Sequence, residues 1–278
     1  MDREAELQQR IREVKPLEQR FSPQIQRRLD SLTKPLGSLG MLEEFVRRLG
    51  DIQGTLQPRI GKKRVYVFVS DHGVAEEGVS AYPSSVTRQM VSNFLSQGAA
   101  ISVLARHHRA EVVVVDVGVN AELGGDRQGF LSRKVGFGTK NFLKEPAMSR
   151  EQALESILLG IELARQAKEE GITVVGAGEM GIGNTTASAA VCSLLCRRPV
   201  EEVTGYGTGI SEQARLKKVD VIKEAISRHR PVPFDPLDAL SKVGGFDIGA
   251  LAGLAIGCAL HRIPVVSDGF IPDAGLAL

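Results

Sequence analysis

An α/β protein built on a parallel sheet is expected from three features of this 278-residue sequence. Short β-branched runs alternate with longer segments of helical periodicity, the rhythm of βα units. The runs are apolar almost throughout, which means burial on both faces, as in a parallel sheet covered by helices. Each run also ends in polar residues beside glycine, and in such sheets ligands sit at the carboxyl ends of the strands.

Residues 1–30 are rich in Glu, Gln and Arg with Leu and Ile at helical spacing. They read as one or two amphipathic helices that dock outside the main core. The stretch Leu32-Thr-Lys-Pro-Leu-Gly-Ser38 breaks this pattern and sets a boundary near residue 30. A helix with Leu39, Leu42, Phe45, Val46 and Leu49 on one face follows. Strands are expected at Val65–Val69, Val112–Val115, Ile172–Val175 and Ile263–Val266. Ser149 with Gln152 spells a capping box, and Ser211 is placed to cap a helix carrying Arg215, Lys217 and Lys218. His107, His108, His229 and His261 fall on helix surfaces or ends.

Composition narrows the partners. Thirty-five Lys and Arg face 33 Asp and Glu, and the net charge of +2 gives no footprint for nucleic acid. The first thirty residues hold no apolar signal-peptide core, and Ile248–Leu260 is too short to span a bilayer, so no membrane partner is expected. Cys192, Cys196 and Cys258 lie in apolar, Ala/Gly-rich stretches and read as buried, reduced thiols of a cytoplasmic protein. No His or acidic ligand accompanies them in sequence, so a metal is not expected there.

The strand ends deliver Ser70-Asp71-His72-Gly73, then Asp116-Val117-Gly118, then Gly176-Ala-Gly-Glu-Met-Gly-Ile-Gly-Asn-Thr-Thr186, then Ser267-Asp268-Gly269. The third is read as a glycine loop leading into an Ala-rich helix, Ala187–Cys196, and such a loop offers an anion its amides and a helix dipole. Three templates nearly fit it. Gly176, Gly178 and Gly181 match the dinucleotide spacing, with Glu201 and Glu202 where a ribose-binding acid belongs, but Glu179 would meet a pyrophosphate as a like charge. Gly178–Thr185 has Walker A spacing with Asn184 in place of the lysine, which argues against a nucleoside triphosphatase. A magnesium-pyrophosphate donor would need paired acids after Val115, and only Asp116 is present. What remains is a single phosphate with an acid close by. Glu179 then serves ribose hydroxyls or an oxocarbenium-like anomeric carbon, unless it only caps or neutralises a neighbouring lysine.

Several stretches together resemble the nicotinate-nucleotide:dimethylbenzimidazole phosphoribosyltransferases of cobalamin lower-ligand assembly. They are Arg28–Gly40, Ser70–Val74, Tyr82–Gly98, Gly178–Thr186, Thr204–Gly209, Gly244–Ile248 and Asp268–Phe270. The resemblance covers nearly the whole chain after residue 20. It implies a Rossmann-like parallel sheet flanked by helices, with a small helical domain to which residues 1–30 belong and a large domain over 31–278. It also implies a homodimer that needs no metal or other cofactor and transfers phosphoribose from nicotinate mononucleotide to 5,6-dimethylbenzimidazole. Glu179 corresponds to the acid beside the ribose. Gly181, Gly183, Asn184, Thr185 and Thr186, with Gly205, Thr208 and Lys218, correspond to the phosphate and ribose site. Without the resemblance, Lys218 reads equally well as a solvated helix position. Tyr82 and Gln89 fall in the segment that forms the base pocket, and His72 is given no catalytic part. The family continues beyond the position of Leu278 with an Arg-Leu-Gly-Glu-Gly type stretch whose glutamate is the general base. By this reading the chain lacks that base and the C-terminal part of the small domain, as a shortened or a non-catalytic nucleotide-binding homologue would. A dinucleotide-binding oxidoreductase is the reading from outside the family.

Overall fold

The computed structural model describes residues 2–232 and 234–278. Three helices come first: α1 (Arg3–Glu13), α2 (Ser22–Asp30) and α3 (Met41–Gln53). Strand β1 (Lys62–Ser70) leads through a 3-10 turn at Gly73–Glu77 to α4 (Ser85–Leu95) and α5 (Ala100–His107), then β2 (Ala110–Gly118) and β3 (Phe130–Ser132). Helix α6 (Arg150–Glu169) precedes β4 (Ile172–Met180), followed by α7 (Asn184–Cys196), α8 (Val200–Val203), α9 (Glu212–His229), α10 (Pro236–Val243) and α11 (Phe246–His261). Strand β5 (Val265–Ser267) and α12 (Phe270–Leu276) close the described chain.

All strand pairs are parallel, in the order β3-β2-β1-β4-β5. The central β1 is followed on one side by β2 and on the other by β4, so the chain reverses direction across the sheet between them. Their carboxyl ends form the crevice where ligands bind in open parallel sheets. The side chains of Phe68, Val69, Val115, Val117 and Val175 are fully enclosed, as the apolar runs require.

Both faces of the sheet are covered. The larger core unites β1, β2 and β4 with α6, α7, α9, α10 and α11, and a smaller one packs Val67, Val69, Val114 and Phe130 against α4 and α5. Helices α6 and α11 approach to backbone contact: a Cβ on Gly253 would stand 1.8 Å from the carbonyl oxygen of Ile157. Glycine is required there by close packing. Helix α1 inserts Leu7 into the larger core, whereas α2 and α3 pack on each other.

The caps read from sequence are present. Ser149 and Gln152 form the reciprocal box at α6, and the Ser211 hydroxyl accepts the amide of Ala214 at α9. Three expectations need correction. The glycine segment is mostly strand: β4 runs through Gly176–Met180, leaving only Gly181–Gly183 as the turn, and α7 begins at Asn184 rather than Ala187. Strand β3 is an addition, since Phe130–Ser132 is too short to show a period in the sequence. Of the cysteines only Cys258 is buried; Cys196, in the last turn of α7, is exposed.

Candidate active site

The turn at Gly181–Gly183 sits on the ends of β1 and β4. A Cβ on Gly181 would lie 2.2 Å from the carbonyl oxygen of Ser70, so only glycine lets the two strand ends meet this closely. Thr87, buried on α4, accepts the amide of Ile182 at 3.1 Å and fixes the turn from outside. The amides of Gly183 and Thr185 take no part in the backbone bonds of this turn. They lie at the start of α7, where unpaired amides and the helix dipole favour an anion.

Lys218 completes this half of the site. It projects from α9, is 1 % exposed, and its ammonium donates to the Thr185 hydroxyl at 2.7 Å. No carboxylate pairs with it among the described residues. Burial pulls its pKa down to about 8. An enclosed cation with one neutral partner is costly, and a bound anion removes that cost. The reading of Lys218 as a solvated helix position is therefore wrong. A Cβ on Gly207, whose φ is +53°, would lie 2.8 Å from Thr185 Oγ1 and 3.3 Å from the Lys218 ammonium, so the bare glycine keeps the approach clear. A cleft of about 560 Å³ opens here, lined by Thr185, Glu202, Gly205, Gly207 and Phe270 among others.

Glu179, near the end of β4 and partly buried, defines the other half. It accepts a short hydrogen bond from the Asn184 side chain. Burial, then the charge of Asp247, push its pKa up to about 7, against the opposing effects of Asn184 and His72. Its role as a neutraliser of a lysine does not apply, because no lysine reaches it among the described residues.

The remaining expected positions are distributed around this centre. Thr186 is buried, and its hydroxyl has no hydrogen-bond partner among the described residues. Thr208 does not face Lys218: its hydroxyl accepts the amide of Ala81 at 2.9 Å and meets Ser80 Oγ at 3.2 Å. It thereby ties the Gly205–Gly209 turn to the segment carrying Tyr82. The side chains of Tyr82 and Gln89 are exposed and make no hydrogen bond to the glycine turn among the described residues. Asp116 is occupied structurally: one oxygen accepts the amides of Gly118 and Val119 and the other pairs with Lys134. Glu201 and Glu202 pair with Lys223 and Arg198, so neither stands free for a dinucleotide ribose.

Two residues outside the expected set belong to the centre. His72 and Asp247 are buried against each other at 3.1 Å, and Asp247 lies 3.5 Å from the Asn184 amide nitrogen. Both stand in stretches singled out in the sequence, but nothing local tells that residues so far apart meet. Among the described residues no cluster of three or more His, Cys, Asp or Glu is arranged to hold a metal ion. No described helix is long and apolar enough to cross a membrane.

Comparison with known proteins gives first the class. A family model described as a phosphoribosyltransferase matches residues 14–278. Nicotinate-nucleotide–dimethylbenzimidazole phosphoribosyltransferases from Geobacter metallireducens and Geobacter sulfurreducens are 51 % and 52 % identical to the chain over 97 % of its length and 76 % of theirs. The crystal structure of CobT from Thermus thermophilus superposes with a TM-score of 0.88 at 45 % identity, covering 92 % of this chain and 77 % of that one. The chain belongs to the nicotinate-nucleotide–dimethylbenzimidazole phosphoribosyltransferase family.

Proposed function

We propose that this protein transfers the phosphoribosyl group of nicotinate mononucleotide to 5,6-dimethylbenzimidazole, giving α-ribazole 5′-phosphate and nicotinate in the assembly of the cobalamin nucleotide loop. The observation that carries the reading is Lys218, a buried cation without a counter-ion among the described residues, set beside Thr185 at the open end of a glycine turn. That is a receptor for one phosphate. Glu179, near the end of β4, accepts the side-chain amide of Asn184, the residue before Thr185.

With the phosphate on Lys218, Thr185 and the turn amides, the ribose reaches toward Glu179. The bond between the anomeric carbon and the pyridinium nitrogen breaks with its electron pair passing to nitrogen, so nicotinate leaves with a neutral ring. A metal is not needed to carry away charge. The Glu179 carboxylate stabilises the positive charge developing on the sugar. An acceptor nitrogen attacks from the opposite face, and the proton on the second ring nitrogen passes to a base, which the family resemblance places in its later segment. Asn184 orients Glu179, while Gly181, Gly183 and Thr186 shape the turn and Gly205 and Thr208 the opposing wall. Tyr82 and Gln89 are assigned to the acceptor side. The protein acts as a homodimer in the cytoplasm. Exposure of Leu36, Met41 and Leu42 near the start of α3 supplies an apolar face in keeping with association.

Incubation with nicotinate mononucleotide and dimethylbenzimidazole should release nicotinate with stoichiometric formation of the ribazole phosphate. Calorimetry that detects nicotinate mononucleotide binding without any release would favour the nucleotide-binding homologue instead. Absence of binding would overturn the assignment of the phosphate site.

A further inference from the structure

The buried groups around Glu179 form a chain that the transfer reaction as described does not use. His72 follows β1 and is enclosed; its Nε2 lies 3.1 Å and 3.2 Å from the two carboxylate oxygens of Asp247. Asp247 stands in the first turn of α11, is fully enclosed, and accepts its neighbour's amide at Ile248. One of its oxygens lies 3.5 Å from the Asn184 amide nitrogen that donates to Glu179. The backbone is shaped to admit the imidazole: a Cβ on Gly245 would come within 2.2 Å of its Cε1, and one on Gly181 within 3.2 Å of its ring. Elements β1, β4, α7 and α11 thus converge on one histidine. Asp71, Asp247 and Glu179 are the charged groups that act on it, and Asp247 and His72 are those that act on Glu179.

We propose that His72 and Asp247 are a positioning pair for Glu179, in which a buried imidazolium neutralises Asp247 and Asp247 steadies the Asn184 amide that aims the Glu179 carboxylate at the sugar. This rests on the phosphoribosyl-transfer reading of the site. A carboxylate aimed at a developing cation must be ionised and held still. Asp247 alone would oppose the ionisation, because a second buried negative charge nearby disfavours it. The imidazolium removes the conflict while Asp247 keeps its hydrogen-bonding role. Burial alone would push the His72 pKa down, but Asp247, with Asp71 and Glu179, overcomes this and holds it above its ordinary value. The contact of Nε2 with Asp247 agrees with that direction, while the enclosed Nδ1 has no hydrogen-bond partner among the described residues.

The test has two readouts on the whole protein. In the first, imidazole ¹⁵N resonances are followed with pH in the ligand-free protein, the His72 signals being those missing from H72Q. His72 is expected to hold its proton to higher pH than an ordinary imidazole, and to lose it at lower pH in D247N, a near-isosteric change. A neutral His72 in the parent protein would overturn the proposal. In the second, the acid limb of kcat/KM for nicotinate release is compared among parent, H72Q and H72Q/D247N. H72Q, whose amide can still reach Asp247, is expected to move the limb upward by about one pH unit and to lower kcat/KM at pH 7 about fivefold, through kcat rather than KM. The double variant is expected to bring the limb back toward its parental position, because both charges are then gone. A limb unmoved in H72Q, or moved further in the double variant, would refute the pairing. If the parent protein neither binds nicotinate mononucleotide nor releases nicotinate, the functional reading fails, and the ¹⁵N result still decides whether the buried imidazolium exists.

Discussion

Two lysines lie near the carboxyl edge of the sheet, and they are used in opposite ways. Lys134 reaches Asp116 at 2.7 Å and donates to the carbonyl oxygens of Val119 and Ala121, so its charge is answered within the fold. Lys218 is more deeply enclosed, yet it meets one hydroxyl. The acids diverge in the same manner. Asp116 takes two amides on one oxygen and an ion pair with a lysine on the other, while Glu179 has a side-chain amide and a buried acid nearby. A satisfied buried charge maintains architecture, and an unsatisfied one stores a binding interaction.

The sharpest break in that comparison is Lys218→Met. It removes the cation without a large change in volume, so affinity for nicotinate mononucleotide is expected to fall about 100-fold or more, in line with loss of a charge-assisted contact to phosphate. Thermal stability of the free protein should hold or rise, because a desolvated charge has gone. Calorimetry and a melting curve on the same sample check both halves. Lys134→Met should do the reverse. Leaving Asp116 enclosed without its cation should cost about 2 kcal/mol, toward the low side for buried pairs because Lys134 keeps some exposure. Affinity for the nucleotide should change little. Equilibrium denaturation together with the same titration distinguishes the two lysines, and equal effects on binding would erase the contrast.

The legible parts of this molecule are those whose cause is local. The β-branched runs Val65–Val69, Val112–Val115 and Ile172–Val175 mark strands, and the spacing from Ser149 to Gln152 marks a helix start, because neighbours in sequence make those structures; the run expected at Ile263–Val266 is strand only from Val265 onward. Lys218 is legible only through resemblance, since its own helix carries Arg215 and Lys217 beside it and reads as solvated. Its burial comes from packing of α9 on α7, which no local pattern records. The pairing of His72 with Asp247 joins residues 175 apart in the chain, and the close approach of Gly181 and Gly245 to the imidazole becomes meaningful only once β1, β4 and α11 are assembled. The glycines of β4 mislead in a different way. Glycine weakens a strand when considered alone, but Gly176 and Gly178 are paired opposite Val65 and Val67 at the sheet centre, where tertiary context sets the conformation.

A pH series sharpens the contrast further. The Lys218 pKa, lowered by burial to about 8 in the free protein, lies below its unfolded value, so the folded state holds the proton less tightly. Between about pH 8 and the ordinary lysine range the unfolded chain binds more protons, and stability of the free protein should rise with pH through that window. Binding should move the other way. The ammonium is largely charged at pH 7 and mostly neutral at pH 9, so nucleotide affinity should fall about tenfold across that span. Lys218→Met should abolish the dependence, and a slope that persists in the variant would assign it to another group.

The smallest expected effect comes from Thr208→Val, which tests a contact that is polar but exposed. Thr208 Oγ1 joins the Gly205–Gly209 turn to Ala81 and Ser80, and so connects the wall of the phosphate cleft to the segment bearing Tyr82. Valine keeps the shape and removes the acceptor. Because Ala81 is exposed, water can take its amide, and the loss should be about 0.5–1 kcal/mol rather than the penalty of a stranded buried donor. The change should therefore raise KM for dimethylbenzimidazole about threefold and leave nicotinate mononucleotide binding unaltered. Steady-state kinetics with each substrate varied in turn would show it. An equal rise for both substrates would mean that the Gly205–Gly209 turn positions the phosphate as well, and would move Thr208 to the same side of the comparison as Lys218.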